Sequence, residues 1–183
     1  MSIRSKFAVT TILMALSLVA PVGVRLHAQE GAAGSKGAPV VLRREEAAAI
    51  LPAAVFFRGQ SASVQGRNSS GLRFADGKLV LATMVDTSGY SSTVQQVYQA
   101  YLLTEVPLMV GGHRLNAGAY GFGFVAGNKM TVMDIGANEI LQAVTTHDEA
   151  LARPNPLQIL PGPSGSFRLY LGRSYVTLSI AEK

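Results

Sequence analysis

Short apolar segments separated by turn residues make up most of the chain. After residue 52, Gly, Asn or Pro breaks the apolar pattern roughly every eight to twelve positions, as in antiparallel β proteins. The clearest pair of segments, residues 72–74 and 79–85, flanks Asp76-Gly77, a dipeptide typical of type I′ hairpin turns. The pattern therefore predicts an all-β fold, an antiparallel β-sandwich or barrel-like domain.

Two segments depart from this strand pattern. "VLRREEAAAILP" is rich in alanine and paired charges, which predicts a short N-terminal helix that ends before Pro52. Four residues from Val94 to Tyr101 fall at the i, i+3, i+4 and i+7 positions of a helix face. They predict a second short helix followed by a strand from about Ala100, with a bulged strand as the alternative because Val and Tyr favour strands.

The N-terminus has the layout of a secretory signal. Arg4 and Lys6 precede an uncharged run over residues 7–24, and the segment ends at the small residue Ala28. We expect residues 1–28 to be a signal peptide, 29–41 a flexible leader and 42–183 a single β domain. An uncleaved anchor is the alternative, since the run is near the length of a membrane span. This interpretation predicts a secreted or periplasmic protein with no membrane span after cleavage.

Charge and cysteine content narrow the function classes. The chain has 16 Lys plus Arg against 11 Asp plus Glu. Three basic residues and no acidic ones lie in the signal, so 13 basic residues against 11 acidic ones give the mature chain +2. That charge is too small to indicate a nucleic-acid partner. The absence of cysteine excludes disulfides, thiol nucleophiles and thiolate metal sites, so stability must come from one packed core.

The stretch "GGHRLNAGAYGFGF" at residues 111–124 raises the question of a phosphate-binding loop. Its glycines are in the wrong order for a dinucleotide fingerprint, and "NKMTVMDIG" after it is strand-like, so no helix N-terminus follows. No Gly-Lys-Ser or Gly-Lys-Thr occurs in the chain. The stretch thus predicts no nucleotide or other cofactor.

A strand explains the same stretch better. With a period of two, Tyr120, Phe122 and Phe124 share one face, while Gly121 and Gly123 share the other. The aromatic face is expected in the core. The bare face either packs closely against another part of the protein or forms the floor of a ligand groove.

This stretch also carries a family resemblance. It resembles the G-x-x-L-x-A-G-x-Y hairpin of uncharacterised secreted bacterial β-sandwich proteins, over about thirty residues. The resemblance implies the sandwich fold and brings no activity or site residues. The matching residues are Gly112, Leu115, Ala117, Gly118 and Tyr120.

Candidate chemistry is sparse. Glu105 and Asp134 each interrupt an apolar strand, and His147 precedes two acids without a second His at ligand spacing. We therefore expect no metal site and no catalytic set. The predicted function is a non-catalytic binding or structural module of the cell envelope, whose partner is a small molecule, a glycan or an envelope protein. The candidate ligand-binding residues are Gly121, Gly123, Tyr98, Tyr101, Glu105 and Asp134.

Two alternatives remain open from the sequence. One is a secreted hydrolase that uses Glu105, Asp134 or His147. The other is a self-associating envelope component, in which exposed strand edges recruit further copies.

Overall fold

A computed structural model describes residues 37–181, so the predicted signal peptide and most of the predicted leader lie outside the described residues. Val40 and Val41, which the sequence assigns to the leader, form the first strand with Leu42. The two helices are α1 (Arg44–Ile50) and α2 (Ser92–Val97), and a short 3-10 turn spans Pro163–Gly165. The strands are β1 (Val40–Leu42), β2 (Ala54–Phe57), β3 (Gln60–Arg73), β4 (Leu79–Val85), β5 (Ala100–Thr104), β6 (Leu108–Val110), β7 (His113–Leu115), β8 (Gly118–Val125), β9 (Lys129–Met133), β10 (Glu139–Val144), β11 (Thr146–His147), β12 (Leu157–Pro161), β13 (Phe167–Leu171) and β14 (Ser174–Ile180).

The strands form two antiparallel sheets, which confirms the predicted all-β, sandwich-like fold. The eight-stranded sheet has the order β1-β3-β4-β5-β8-β9-β10, with β2 paired to β3. The six-stranded sheet has the order β12-β13-β14-β6-β7, with β11 paired to β14. The chain crosses from the larger sheet to the smaller one between β5 and β6 and again between β10 and β11.

The main core lies between the two sheets, because alternate residues of each strand point to opposite faces. Leu102 and Phe122 of the larger sheet are fully buried there with Leu169 and Leu178 of the smaller one. Tyr120 and Phe124 pack at the margin of the same core, which confirms the predicted aromatic face of β8.

The outer face of the larger sheet is also covered. The β2–β3 hairpin and α2 enclose a second cluster that includes Phe57, Tyr98 and Tyr101. Helix α1 buries Ala47 and, with Leu51, closes a third cluster over Leu81. Both predicted helices are therefore present, and β5 begins at Ala100 as expected.

Two details differ from the sequence prediction. The Asp76-Gly77 hairpin is confirmed, but only Gly77 has a positive φ, so its turn is not type I′. Arg58 and Gly59 both have positive φ and join β2 to β3 through the two-residue loop that a type I′ turn requires. The sequence pattern also misses the first half of β3, because its mainly polar residues lie on a partly exposed strand.

No helix within residues 37–181 is long and apolar enough to cross a membrane.

Candidate functional site

The bare face of β8 is occupied by the protein itself. A β-carbon built on Gly121 would lie 2.5 Å from Cε2 of Phe57 and 2.9 Å from Cδ2 of Tyr98. At Gly123 it would meet the backbone carbonyl of Val97. The two glycines thus allow the β2–β3 hairpin and α2 to approach the sheet closely, and this space is filled by packing.

Tyr90, Tyr98 and Tyr101, the tyrosine cluster, pack at this contact. The Tyr98 ring stacks on Phe57 with the ring centres 3.9 Å apart, and Tyr90 meets Tyr98 edge-on at 5.3 Å. The Tyr101 hydroxyl donates to the Phe56 carbonyl oxygen at 3.1 Å, and the Tyr90 hydroxyl donates to that of Phe57 at 3.0 Å. Burial raises the pKa of all three phenols, so they stay neutral. Tyr90 and Tyr101 hold the hairpin in place as hydrogen-bond donors, and Tyr98 holds it by ring packing.

The two predicted acids both accept backbone hydrogen bonds: Glu105 binds the start of strand β4, and Asp134 holds a turn. Glu105 accepts the backbone N–H of Leu79 at 2.8 Å. Asp134 accepts the backbone N–H groups of Gly136 and Asn138, each at 2.9 Å. The side chain and the N–H of Asn138 lower the pKa of Asp134 below its usual value, which favours the charged, hydrogen-bonded form.

These acids do not form a pair. Glu105 follows β5 and Asp134 follows β9, and these strands flank β8 on opposite sides. The register places residue 104 opposite 118 and residue 133 opposite 121. Residues 105 and 134 thus lie two strands apart and are offset by three residues along the strands, so their α-carbons are roughly 14 Å apart. Each carboxylate also accepts backbone N–H groups, of Leu79 for Glu105 and of residues 136 and 138 for Asp134. The geometry therefore brings together no acid pair like that of a glycosidase, about 5–9.5 Å apart.

A shallow depression of about 440 Å³ lies beside His147. Its polar groups are largely used internally. The Tyr170 hydroxyl donates to Asp148 at 2.8 Å, the Arg168 guanidinium lies 4.7 Å from the centre of the Tyr175 ring, and the His147 Nδ1 atom is 3.4 Å from the Ser174 hydroxyl. Within residues 37–181 no three His, Asp or Glu side chains form a group that could hold a metal ion.

A more enclosed polar site lies where the edges of the two sheets meet. β1 ends the order of the larger sheet and β12 ends that of the smaller one, and β12 runs beside β3. A groove of about 420 Å³ follows this junction, and we call it the seam groove. Its lining residues are Val41, Leu42, Arg43, Arg44, Glu45, Arg67, Asn68, Ser69, Ser70, Asn155, Pro156, Leu157, Gln158, Ile159 and Leu160.

The seam groove forms because the two sheets approach without joining. The Ser70 hydroxyl accepts the N–H of Ile159 at 3.1 Å, which ties β12 to β3 at one point. Next to this tie, the register of β3 against β4 shifts between Val64 and Ser69, and the bulge turns residues 65–68 away from regular pairing. The bulge brings Arg67 and Asn68 to the wall of the groove.

Sequence reasoning missed this site. Arg67, Asn68, Asn155 and Gln158 are ordinary surface residue types, and 87 positions separate Asn68 from Asn155 along the chain. The only local signal was the polar run at residues 65–70 inside what proves to be a strand. The contact between β3 and β12 that creates the groove depends on how the two sheets pack.

Comparisons with models of known protein families, with curated proteins and with solved structures find no match for this chain. The function must therefore be argued from the site itself.

Proposed function

We propose that this protein is an exported, non-catalytic binding module of the cell envelope, and that the seam groove is its binding site. The observation that carries the proposal is the groove itself, formed from both sheets and lined by amide, hydroxyl and guanidinium groups. Its volume falls within the range of roughly 300–1,000 Å³ that is usual for small-ligand sites. The signal-like N-terminus supports export.

The chemistry of the groove favours binding over catalysis. Its lining contains no histidine, and its one acid, Glu45, lies 3.5 Å from Arg44 in an ion pair. General acid–base catalysis requires a group that can give up and take back a proton near the reacting atoms, and the groove lining holds no histidine and no unpaired acid. We therefore expect a bound ligand to leave the protein unaltered.

A thermal-shift screen against glycans and organic acids tests this proposal. A ligand at one hundred times its Kd stabilises the folded state by about 2.7 kcal/mol, so a true ligand raises the Tm clearly. Asn155→Ala should reduce the shift, whereas Asn116→Ala, an exposed asparagine outside the groove, should leave it unchanged. Mass spectrometry should recover the ligand intact. A ligand that stabilises both variants equally, or is converted, would argue against a binding role for the groove.

Self-association is a second candidate function, supported by strand β10. This strand ends the order of the larger sheet and exposes 48% of Ile140 and 75% of Val144. Exposed edge strands with apolar side chains recruit further strands. Light scattering at increasing concentration tests this role: assembly that Val144→Lys abolishes supports it, and a monomer at all concentrations removes it.

A further inference from the structure

We infer that the seam groove recognises an acidic glycan, with the carboxylate of a uronic acid bound at Arg67 and its hydroxyls at the flanking amides. The inference rests on the proposed binding function and adds the chemical class of the ligand. It follows from which donors in the groove the protein leaves unpaired.

Arg67 is the cation available to such a ligand. The groove is also lined by Arg43 and Arg44, but these pair with Glu46 at 3.1 Å and Glu45 at 3.5 Å. The side chain of Arg67 is exposed and makes no hydrogen bond or ion pair within residues 37–181. A guanidinium binds a planar carboxylate through two parallel hydrogen bonds, so one carboxylate matches the one unpaired arginine of the groove.

The amides of the groove suit a ligand rich in hydroxyls. Asn155 donates to Oε1 of Gln158 at 2.8 Å, which leaves Nε2 of Gln158 buried without a partner among the described residues. Asn68, on the opposite wall, donates to Oε1 of Gln65 at 3.0 Å. Amide groups both donate and accept, as sugar hydroxyls do. Since Nε2 of Gln158 is buried in the free protein, a hydroxyl acceptor reaches it only when the Gln158 side chain turns towards the groove.

A peptide that adds a strand to β12 fits the groove less well. Strand addition needs a free row of backbone N–H and C=O groups along the edge. On β12 the N–H of Ile159 is already bound by Ser70, and Pro156 before the strand and Pro161 at its end have no N–H to offer. The edge therefore lacks the donors that such a peptide requires.

A polyanion such as a nucleic acid also fits poorly. Nucleic acids bind to runs of lysine and arginine that neutralise several phosphates. Two of the three arginines in the seam groove are paired with acids, so one full positive charge remains unpaired there. A ligand whose carboxylates are single and well spaced matches one unpaired arginine better than a polyanion does.

Calorimetric titration of the purified protein with trigalacturonic acid tests the inference. We expect Arg67→Gln to weaken binding by about tenfold to a hundredfold, the effect of losing a charge-assisted hydrogen bond, and Arg67→Lys to weaken it less. Arg73→Gln is the matched control, because Arg73 is exposed on the same strand and does not line the groove. It should bind as the wild type does. Arg67 has no partner to lose, so thermal unfolding should show all three variants folded.

The other outcomes separate the ligand class from the binding function. Neutral galactotriose that binds as tightly as the acid, with no effect of Arg67→Gln, would overturn the acidic class and leave the binding function intact. Tighter binding of an oligoglutamate peptide would overturn the inference in favour of an acidic peptide. If neither acidic probe binds while another compound from the thermal-shift screen does, only the inference fails. If no compound binds at all, the proposed function is overturned as well.

Discussion

The hydroxyls of Tyr98 and Tyr101 differ in hydrogen bonding, although the two residues are only three positions apart in the chain. Both phenols are buried, but the Tyr101 hydroxyl donates to Phe56 while the Tyr98 hydroxyl has no partner within the described residues. A buried polar group without a partner lowers stability, whereas a paired one contributes to it. A comparison of Tyr98 with Tyr101 therefore separates the contribution of ring packing to stability from that of the hydroxyl hydrogen bond.

Removing each hydroxyl should change stability in opposite directions. We expect Tyr98→Phe to raise the free energy of unfolding by about 1 kcal/mol, since it deletes an unpaired buried hydroxyl. Tyr101→Phe should lower it by about 1 kcal/mol, because the Phe56 carbonyl loses its donor. Urea unfolding measures both. Equal losses in the two variants would show that the Tyr98 hydroxyl has a partner.

Gly121 provides the second test at this scale. A β-carbon there would meet Phe57 and Tyr98, so Gly121→Ala should destabilise the fold by about 1–3 kcal/mol through overpacking. Gly89→Ala is the control. Its β-carbon would lie 3.8 Å from Oε1 of Gln60, an ordinary contact. Equal unfolding midpoints for Gly121→Ala and the wild type would contradict the close packing described for this face.

The residue pattern predicted one side of β8 better than the other. Alternation alone placed Phe122 in the core and left Gly121 and Gly123 bare. It left open what covers the glycines, because the covering residues come from β2 and α2, which are distant in sequence. The sequence shows that a close approach is permitted, and tertiary packing decides which group makes it.

Among the structural elements, the β2–β3 hairpin offers a direct test of turn chemistry. Arg58 has a φ of +49°, in the left-handed region that costs a non-glycine residue about 1–2 kcal/mol. Asparagine tolerates this region better, and Asn-Gly is the preferred type I′ pair. Arg58→Asn should therefore raise the Tm by a few degrees, as measured by circular dichroism. A lower Tm would mean that the Arg58 side chain stabilises the hairpin in another way.

Elements with strong local signals were the predictable ones. The alanine-rich segment gave α1, and the apolar segments around Asp76-Gly77 gave the hairpin of β3 and β4. The segment "YLLTEVPLMV" is largely apolar, but it splits at residues 105–107 into β5 and β6, strands of different sheets. Local pattern does not reveal such a crossing, because both strands are apolar.

For the whole molecule, four carboxylates that are exposed or half-buried make stability depend on acid pH. Hydrogen bonds from Arg43, Lys78, Ser88 and Asn138, respectively, lower the pKa values of Glu46, Asp76, Asp86 and Asp134. Their contribution is present above the unfolded pKa values of about 4 and is lost as the pH falls through the lower folded values. The stability of the protein therefore falls as the pH is lowered below about 4.

Chemical unfolding at a series of pH values checks this dependence. Asp134→Asn should reduce stability near neutral pH and make the acid decline shallower, since one of the four carboxylates is gone. Glu149→Gln, outside these four groups, is the control. A decline that is equally shallow in both variants would contradict the assignment to Asp134.

The candidate site belongs to the whole molecule, which explains why the sequence did not predict it. The seam groove exists only where β3 and β12 from different sheets lie side by side, joined through Ser70. The sequence correctly predicted the sandwich, yet its candidate residues Gly121, Gly123, Tyr98 and Tyr101 lie at an internal packing contact. Glu105 binds the start of β4, and Asp134 holds a turn.

The most direct test of the central claim is an amide-resolved NMR titration of the protein with trigalacturonic acid. If the seam groove is the binding site, the shifted amides cluster at residues 66–70 and 155–160, on both sides of the seam. Amides near Gly121 and in the tyrosine cluster should stay unchanged. Shifts confined to the tyrosine cluster or to the depression beside His147, or no shifts at all, would contradict the claim.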